Sequence, residues 1–454
     1  MKKRTLQIGI CLAVGMAAWL AFGPRHVPIS FDHGGKAVEV WLWELRHEDY
    51  VTRDAASEAV GEMGDKALPH LVSRLQQRDS KLKRMLISLA DRWSPGRFGS
   101  AEAHLDRESA ARALAENPKL AVNAAPQLVQ MLNDDWEPAA EEAQRAVRLM
   151  GRPAIPHLVT ALSGGDTGLK AAAAASLREI ASLPDTAIDA LRKAARDRDE
   201  RVRMEAAFSL RLDSGSPASI SVLQELLLDK SKRVRSAAAE SLGGMGTGAS
   251  AAIDSLSACL ADPDVETRIQ AAKAVWKIER NAAKPLEALI EAMSDDKAEW
   301  MAVMAIAEMN DAAAPAVPHL IKALRHEPMH RPFRSPPASA FALGRIGVPA
   351  RSALTDALED SNGKVRAGAA LALGMHDELD RRAMEALTGR LEDDDELVRH
   401  SAAMTLIRAE SRDPRLTPVL KEMLAADDDV VRFAAGDALK RVDPDLAWAL
   451  RNME

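Results

Sequence analysis

The residues of this 454-residue chain best suited to chemistry form the run His326-Glu327-Pro328-Met329-His330. Its letters match a zinc-hydrolase helix, in which two imidazoles four apart share one face and the carboxylate lies beside a metal-bound water. Pro328 lies between the histidines and Pro332 just beyond them. Proline is tolerated only in the first turn of a helix, and here a helix is ending. No third ligand appears at the zinc-protease spacing, so a solvated loop is expected. Ion binding through Arg325, Arg331 and Arg334 is the alternative. His70, His157 and His319 recur at one repeat position, many units apart, and cannot share a metal. Acidic turns such as Asp393-Asp394-Asp395 lack the glycine and distal glutamate of a calcium loop. No catalytic set, metal or cofactor is expected.

The elements that carry these residues are copies of one phrase. It reads Val365-Arg366-x-x-Ala369-Ala370-x-x-Leu373, then Val398-Arg399-x-x-Ala402-Ala403-x-x-Leu406, then more loosely from Val431-Arg432 to Leu439. The starts fall 33 residues apart, at 365, 398 and 431. Such a period predicts stacked repeats. Numbered from the Val, offsets 0, 4, 5 and 8 share one face of a 3.6-residue helix. Paired alanines on that face let a neighbouring helix approach closely. Clean copies begin at Val202, Val234 and Thr267. Others start near 52, 82, 106, 139, 169, 298 and 335, and those at 82, 139 and 298 are degenerate. A second helix follows each first one, as in Pro69-His70-Leu71, Pro156-His157-Leu158 and Pro318-His319-Leu320, with proline in its first turn. Glycines such as Gly246 and Gly347 stop the preceding helix. One hairpin has no interior, so it must stack on its neighbours.

The Arg at offset 1 opposes the helix dipole. The preceding turns are acidic, so an Arg can pair with an Asp of its own or the next turn. Together these features resemble the HEAT repeat, in particular the short Ala-rich form of the phycobilin-lyase type. The resemblance implies an all-α solenoid, a right-handed superhelix of stacked helix pairs. It further implies an Asp–Arg ladder between units, here through Arg203, Arg235, Arg268, Arg366, Arg399 and Arg432. In HEAT-type solenoids the first helix faces the concave side, where offsets 2 and 6 are commonly polar. Here those offsets hold Met204, Phe208, Trp300, Met304, Phe341, Leu371, His400, Met404 and Phe433. Adaptable Met and rigid rings suit a groove for a protein or peptide. The plainer alternative is that they fill gaps between adjacent helices.

Aromatic residues are 4% of the chain, which suits Ala- and Leu-lined helices rather than a β-rich core. A net charge of −7 with mixed signs lacks the basic footprint of a nucleic-acid binder. Cys11 lies in the N-terminal apolar run and Cys259 in a repeat helix, so the two cysteines form no disulfide framework. Residues 1–5 are basic, and 6–22 form an apolar run at the short end of a membrane span. An uncleaved anchor is expected, with a cleaved signal segment as the alternative. Lys2, Lys3 and Arg4 place the repeats on the non-cytoplasmic side. Residues 23–35 read as a tether, 36–445 as an array of about a dozen units, and 446–454 as a closing helix with Trp448 turned inward. The expected role is a non-enzymatic, membrane-tethered scaffold for a protein or peptide, of unknown oligomeric state. The alternative is a lyase-like, chromophore- or metal-handling enzyme on the same repeats.

Overall fold

The structure, a computed structural model, describes residues 32–47, 49–78, 103–164, 166–329 and 333–451. The expected membrane segment, most of the tether, the repeat near 82, and His330 and Arg331 lie outside the described residues. Those described fall into two compact units, one ending at Asp213 and one beginning at Ser214. Both are helical. A single two-stranded antiparallel pair, Asp32–His33 with Lys36–Ala37, precedes the first helices. No described helix is long and apolar enough to cross a membrane.

In each unit, first helices pack on the first helices of the adjoining repeats. In the first unit Ala103–Glu116 lies against Glu137–Met150, and Thr167–Arg178 against Glu200–Leu210. In the second unit Lys232–Met245 lies against Val265–Glu279, and Gly363–Leu373 against Glu396–Arg408. The repeated face explains the stacking. Val202, Ala206, Ala207 and Leu210 have no exposed surface, nor have Val365, Ala369, Ala370 and Leu373, nor Val398, Ala402, Ala403 and Leu406. Each buried Leu or Val contributes about 1.5–3 kcal/mol, and the alanines between them let the backbones come close.

The helix ends follow from local chemistry. Asp199, Asp264, Asn362, Asp395 and Asp428 are N-caps whose side chains accept from backbone N–H groups of the first turn. After the helices Tyr50–Met63, Glu137–Met150, Lys232–Met245 and Ala338–Ile346 come Gly64, Gly151, Gly246 and Gly347. Their φ values are +56° to +74°, with ψ between −131° and −141°. Only glycine adopts that conformation without strain. A 3-10 turn then leads into the second helix.

Two expectations need correction. Trp448, in the helix Pro444–Arg451, is 71% exposed rather than turned inward. Cohesion is also not confined to adjacent repeats. Arg334 reaches Asp428 and Asp429, nearly a hundred residues on, while Phe333 packs against the second unit's core. The starts at 298 and 335 lie 37 residues apart, and residues 326–334, in excess of the repeat length, therefore carry a side chain past the intervening repeats.

Candidate functional site

The ladder is built from a short polar turn, D-x-D at Asp197, Asp262 and Asp393, and the Arg that follows it. Each of the six expected arginines donates from Nη1 to the carbonyl oxygen six residues back. The acceptors are Asp197 for Arg203, Asp229 for Arg235, Asp262 for Arg268, Asp360 for Arg366, Asp393 for Arg399 and Ala426 for Arg432. This bond explains how a cation is tolerated in a first helical turn, since it faces back onto a carbonyl. In Arg235 and Arg366 the other two guanidinium nitrogens reach forward to the next repeat. Arg235 Nε and Nη2 lie 2.8 Å from the Asp262 carboxylate oxygens. Arg366 grips Asp393 the same way at 2.9 and 2.6 Å. Asp262 thus joins Arg235 through its carboxylate and Arg268 through its carbonyl, and Asp393 joins Arg366 and Arg390 through its carboxylate and Arg399 through its carbonyl. A carboxylate oxygen also accepts from the N–H two residues on, at Asp264 and Asp395, which brings the capping Asp into place.

The electrostatics follow the geometry. Burial works against the charge on Asp393, but the Arg366 guanidinium and the Asp395 N–H outweigh it and hold the carboxyl below its usual range. The Asp262 carboxylate holds the Arg235 guanidinium above its usual range, with burial acting the other way. The ladder is not uniform. Arg268 has no carboxylate partner among the described residues, because the turn ahead of Glu299–Ala307 follows a different course. Arg399 pairs with Glu422 of its own repeat instead of a D-x-D turn.

Two rungs escaped the sequence reading. Arg107 grips Asp134 at 2.8 and 2.7 Å, and Lys170 meets Asp197 at 2.9 Å. The signal was present. Asp106-Arg107-x-x-Ala110-Ala111-x-x-Leu114 has the phrase with Asp in place of Val, and each partner lies 27 residues on, as in Arg235–Asp262 and Arg366–Asp393.

The proposed groove residues divide by exposure. In the second unit Trp300 is 65% and Phe433 81% exposed, while Met304, Phe341, Leu371 and Met404 are half-buried. They occupy matching offsets on first helices that follow one another through the unit: Glu299–Ala307, Ala338–Ile346, Gly363–Leu373, Glu396–Arg408 and Asp429–Val442. In the first unit Met204 and Phe208 are half-buried, and the Phe208 ring lies 5.4 Å from the Arg178 guanidinium carbon. His400 does not line this stripe. It is 5% exposed and faces Glu422 on the helix Leu416–Leu424.

The described part of the His326 run, 326–329, forms a turn rather than a helix, as Pro328 required. Glu327 instead accepts from the N–H of Ser339 at 3.1 Å and from its hydroxyl at 2.5 Å, capping Ala338–Ile346 from eleven residues upstream of that helix. Burial pushes its carboxyl up, while the Ser339 bonds pull the other way.

A family model described as HEAT repeats matches residues 155–243, 188–275 and 351–440. This chain carries HEAT repeats. Among solved structures, HEAT-bearing importin-beta in an ammonium sulfate condition is similar at 16% identity and a TM-score of 0.50, over 89% of this chain and 55% of that one. Yeast importin-beta, Kap95p, is similar at 12% identity and a TM-score of 0.55, over 90% of this chain and 61% of that one. Kap95p described with RanGDP is similar at 13% identity and a TM-score of 0.51, over 90% and 56%. This chain thus spans about 55–61% of the length of these structures. At such identities the likeness shows the HEAT fold alone. Comparison with curated protein sequences returns no match.

Proposed function

We propose that this HEAT-repeat chain is a non-enzymatic scaffold that holds a protein or peptide along its stacked first helices. The observation that carries the proposal is the exposure of Trp300 and Phe433 at offsets where the repeat ordinarily places polar groups. Contiguous exposed apolar patches mark interaction sites, and aromatic anchors dominate binding energy at interfaces. The half-buried Met304, Phe341, Leu371 and Met404 supply adaptable apolar surface between them. The net charge of −7 favours a protein over a nucleic acid. The solenoid fold supports the same reading, since Kap95p, which shares it, binds RanGDP.

The test is the affinity of a purified partner, first recovered by pull-down on the intact chain, for the double variant Trp300→Ser with Phe433→Ser. Both side chains are largely exposed, so helix content stays at the wild-type level by circular dichroism. Affinity falls by about tenfold or more. Unchanged affinity in the folded variant removes the stripe as the binding surface.

The proposal extends to the membrane through residues 6–22, an apolar run behind a basic N-terminus that puts the repeats on the non-cytoplasmic side. Alkaline extraction of native membranes leaves the chain in the pellet if this run is an integral span. Release into the soluble fraction removes the tether.

A further inference from the structure

Glu396 and His400 stand four apart on the helix Glu396–Arg408 and therefore share a face. The following helix, Leu416–Leu424, brings Glu422 to the same place. His400 Nε2 is 3.8 Å from Glu422 Oε1, and His400 Nδ1 is 4.0 Å from Glu396 Oε1. Both separations are too long for hydrogen bonds. One donor atom from each of the three residues lies within 4.8 Å of the others. The imidazole is 5% exposed, and its Nε2 has no hydrogen-bond partner. A buried ring nitrogen 3.8 Å from the Glu422 carboxylate and bonded to nothing calls for an account.

We propose that Glu396, His400 and Glu422 bind one divalent transition-metal ion of the zinc class, through one imidazole nitrogen and one oxygen from each carboxylate. An imidazole with two carboxylates is a borderline donor set, which favours such an ion over calcium or magnesium. Arg399 is a positioning residue. Its Nε donates to Glu422 Oε2 at 3.1 Å, its Nη2 to Glu422 Oε1, and its Nη1 to the Asp393 carbonyl at 2.7 Å. Each carboxylate oxygen has two lone pairs, so Glu422 can accept from the guanidinium and still coordinate an ion. Two carboxylates beside one guanidinium leave a net negative charge for the ion. Binding ties the two helices of one repeat together, a role independent of the proposed apolar stripe.

The test uses the full chain, stripped with chelator, and follows Zn²⁺ by calorimetry and Co²⁺ by its visible absorption. One tight equivalent binds. E396Q and H400Q each weaken it by about tenfold or more, since losing a ligand costs at least as much as losing its hydrogen-bonded support. The Glu396 side chain is 68% exposed, so E396Q keeps its fold and decides the matter alone if H400Q does not. Absence of saturable binding, or tight binding undiminished in either folded variant, overturns the site.

Discussion

Replacing Arg107 with Met lowers the unfolding free energy of the first unit by about 3 kcal/mol, the lower end of the cost of breaking a buried ion pair. The Arg107 side chain is 4% exposed and that of Asp134 is 0% exposed. Without the guanidinium, Asp134 keeps the N–H of Trp136 and the half-exposed Arg78, 3.2 Å away. These soften the loss but do not cover a buried charge. The double variant Arg107→Met with Asp134→Asn recovers much of it, because Asn removes the stranded charge and keeps the acceptor for Trp136. Urea melts of the three proteins check this. A double variant as unstable as the single one shows that Arg107 matters through its packing rather than its charge. Acid titration gives a second reading. Burial raises the Asp134 carboxyl, but Arg107 and the Trp136 N–H bring it below the usual carboxylate value. Its contribution is therefore complete above the unfolded carboxylate pKa of about 3.9 and is lost as pH falls from there through the lower folded value. In Arg107→Met burial is no longer outweighed by the guanidinium, the folded value rises, and that acid-dependent loss shrinks.

The ladder shows what a period makes legible. Two residues fixed by one turn and a fixed offset must meet wherever the repeat length holds. The separation of 27 residues in Arg107–Asp134, Lys170–Asp197, Arg235–Asp262 and Arg366–Asp393 is that statement in numbers. The same logic foretold the buried Val, Ala and Leu positions. It fails where the repeat length changes. Asp295 stands 27 residues after Arg268, yet no bond joins them among the described residues, because the turn before Glu299 departs from the pattern. Glu327 and Arg334 lie in the excess residues, where no copy exists to compare. Their partners, Ser339 and the Asp428-Asp429 turn, depend on a path through space that periodicity does not encode.

Offset also foretells a helix face better than it foretells exposure. His400 and Phe433 hold the same offset, yet one is 5% and the other 81% exposed. Glu422 rises against His400 from the next helix, and that contact depends on the length and tilt of Leu416–Leu424 rather than on the first helix. The apolar stripe was therefore legible as a set of positions, while the exposure of its members was not. The Glu396–His400 pairing was legible as a spacing, but its third member lies on another helix.

Gly243→Val costs about 3 kcal/mol, near the upper end of the usual penalty for overpacking, and it does so at a position that a helix would otherwise prefer filled. Gly243 lies on Lys232–Met245 where that helix meets Val265–Glu279. A Cβ there would stand 2.9 Å from the Cα of Ala274 and 3.0 Å from its Cβ. A flexible side-chain tip could swing away, but the backbone of Ala274 cannot move without taking its helix along. Even Gly243→Ala, which gains about 1 kcal/mol of helix propensity, loses it to this contact. Gly389 provides the contrast. It closes the helix Arg381–Gly389 with φ of −61°, and an added Cβ meets nothing within 4 Å. Gly389→Ala therefore stabilises by about 0.4–1 kcal/mol through the unfolded chain. Urea midpoints that move in opposite directions support a seam set by backbone approach. If Gly243→Val leaves its midpoint unmoved, the two helices are not held at that distance, and the paired alanines of the repeated phrase need another explanation.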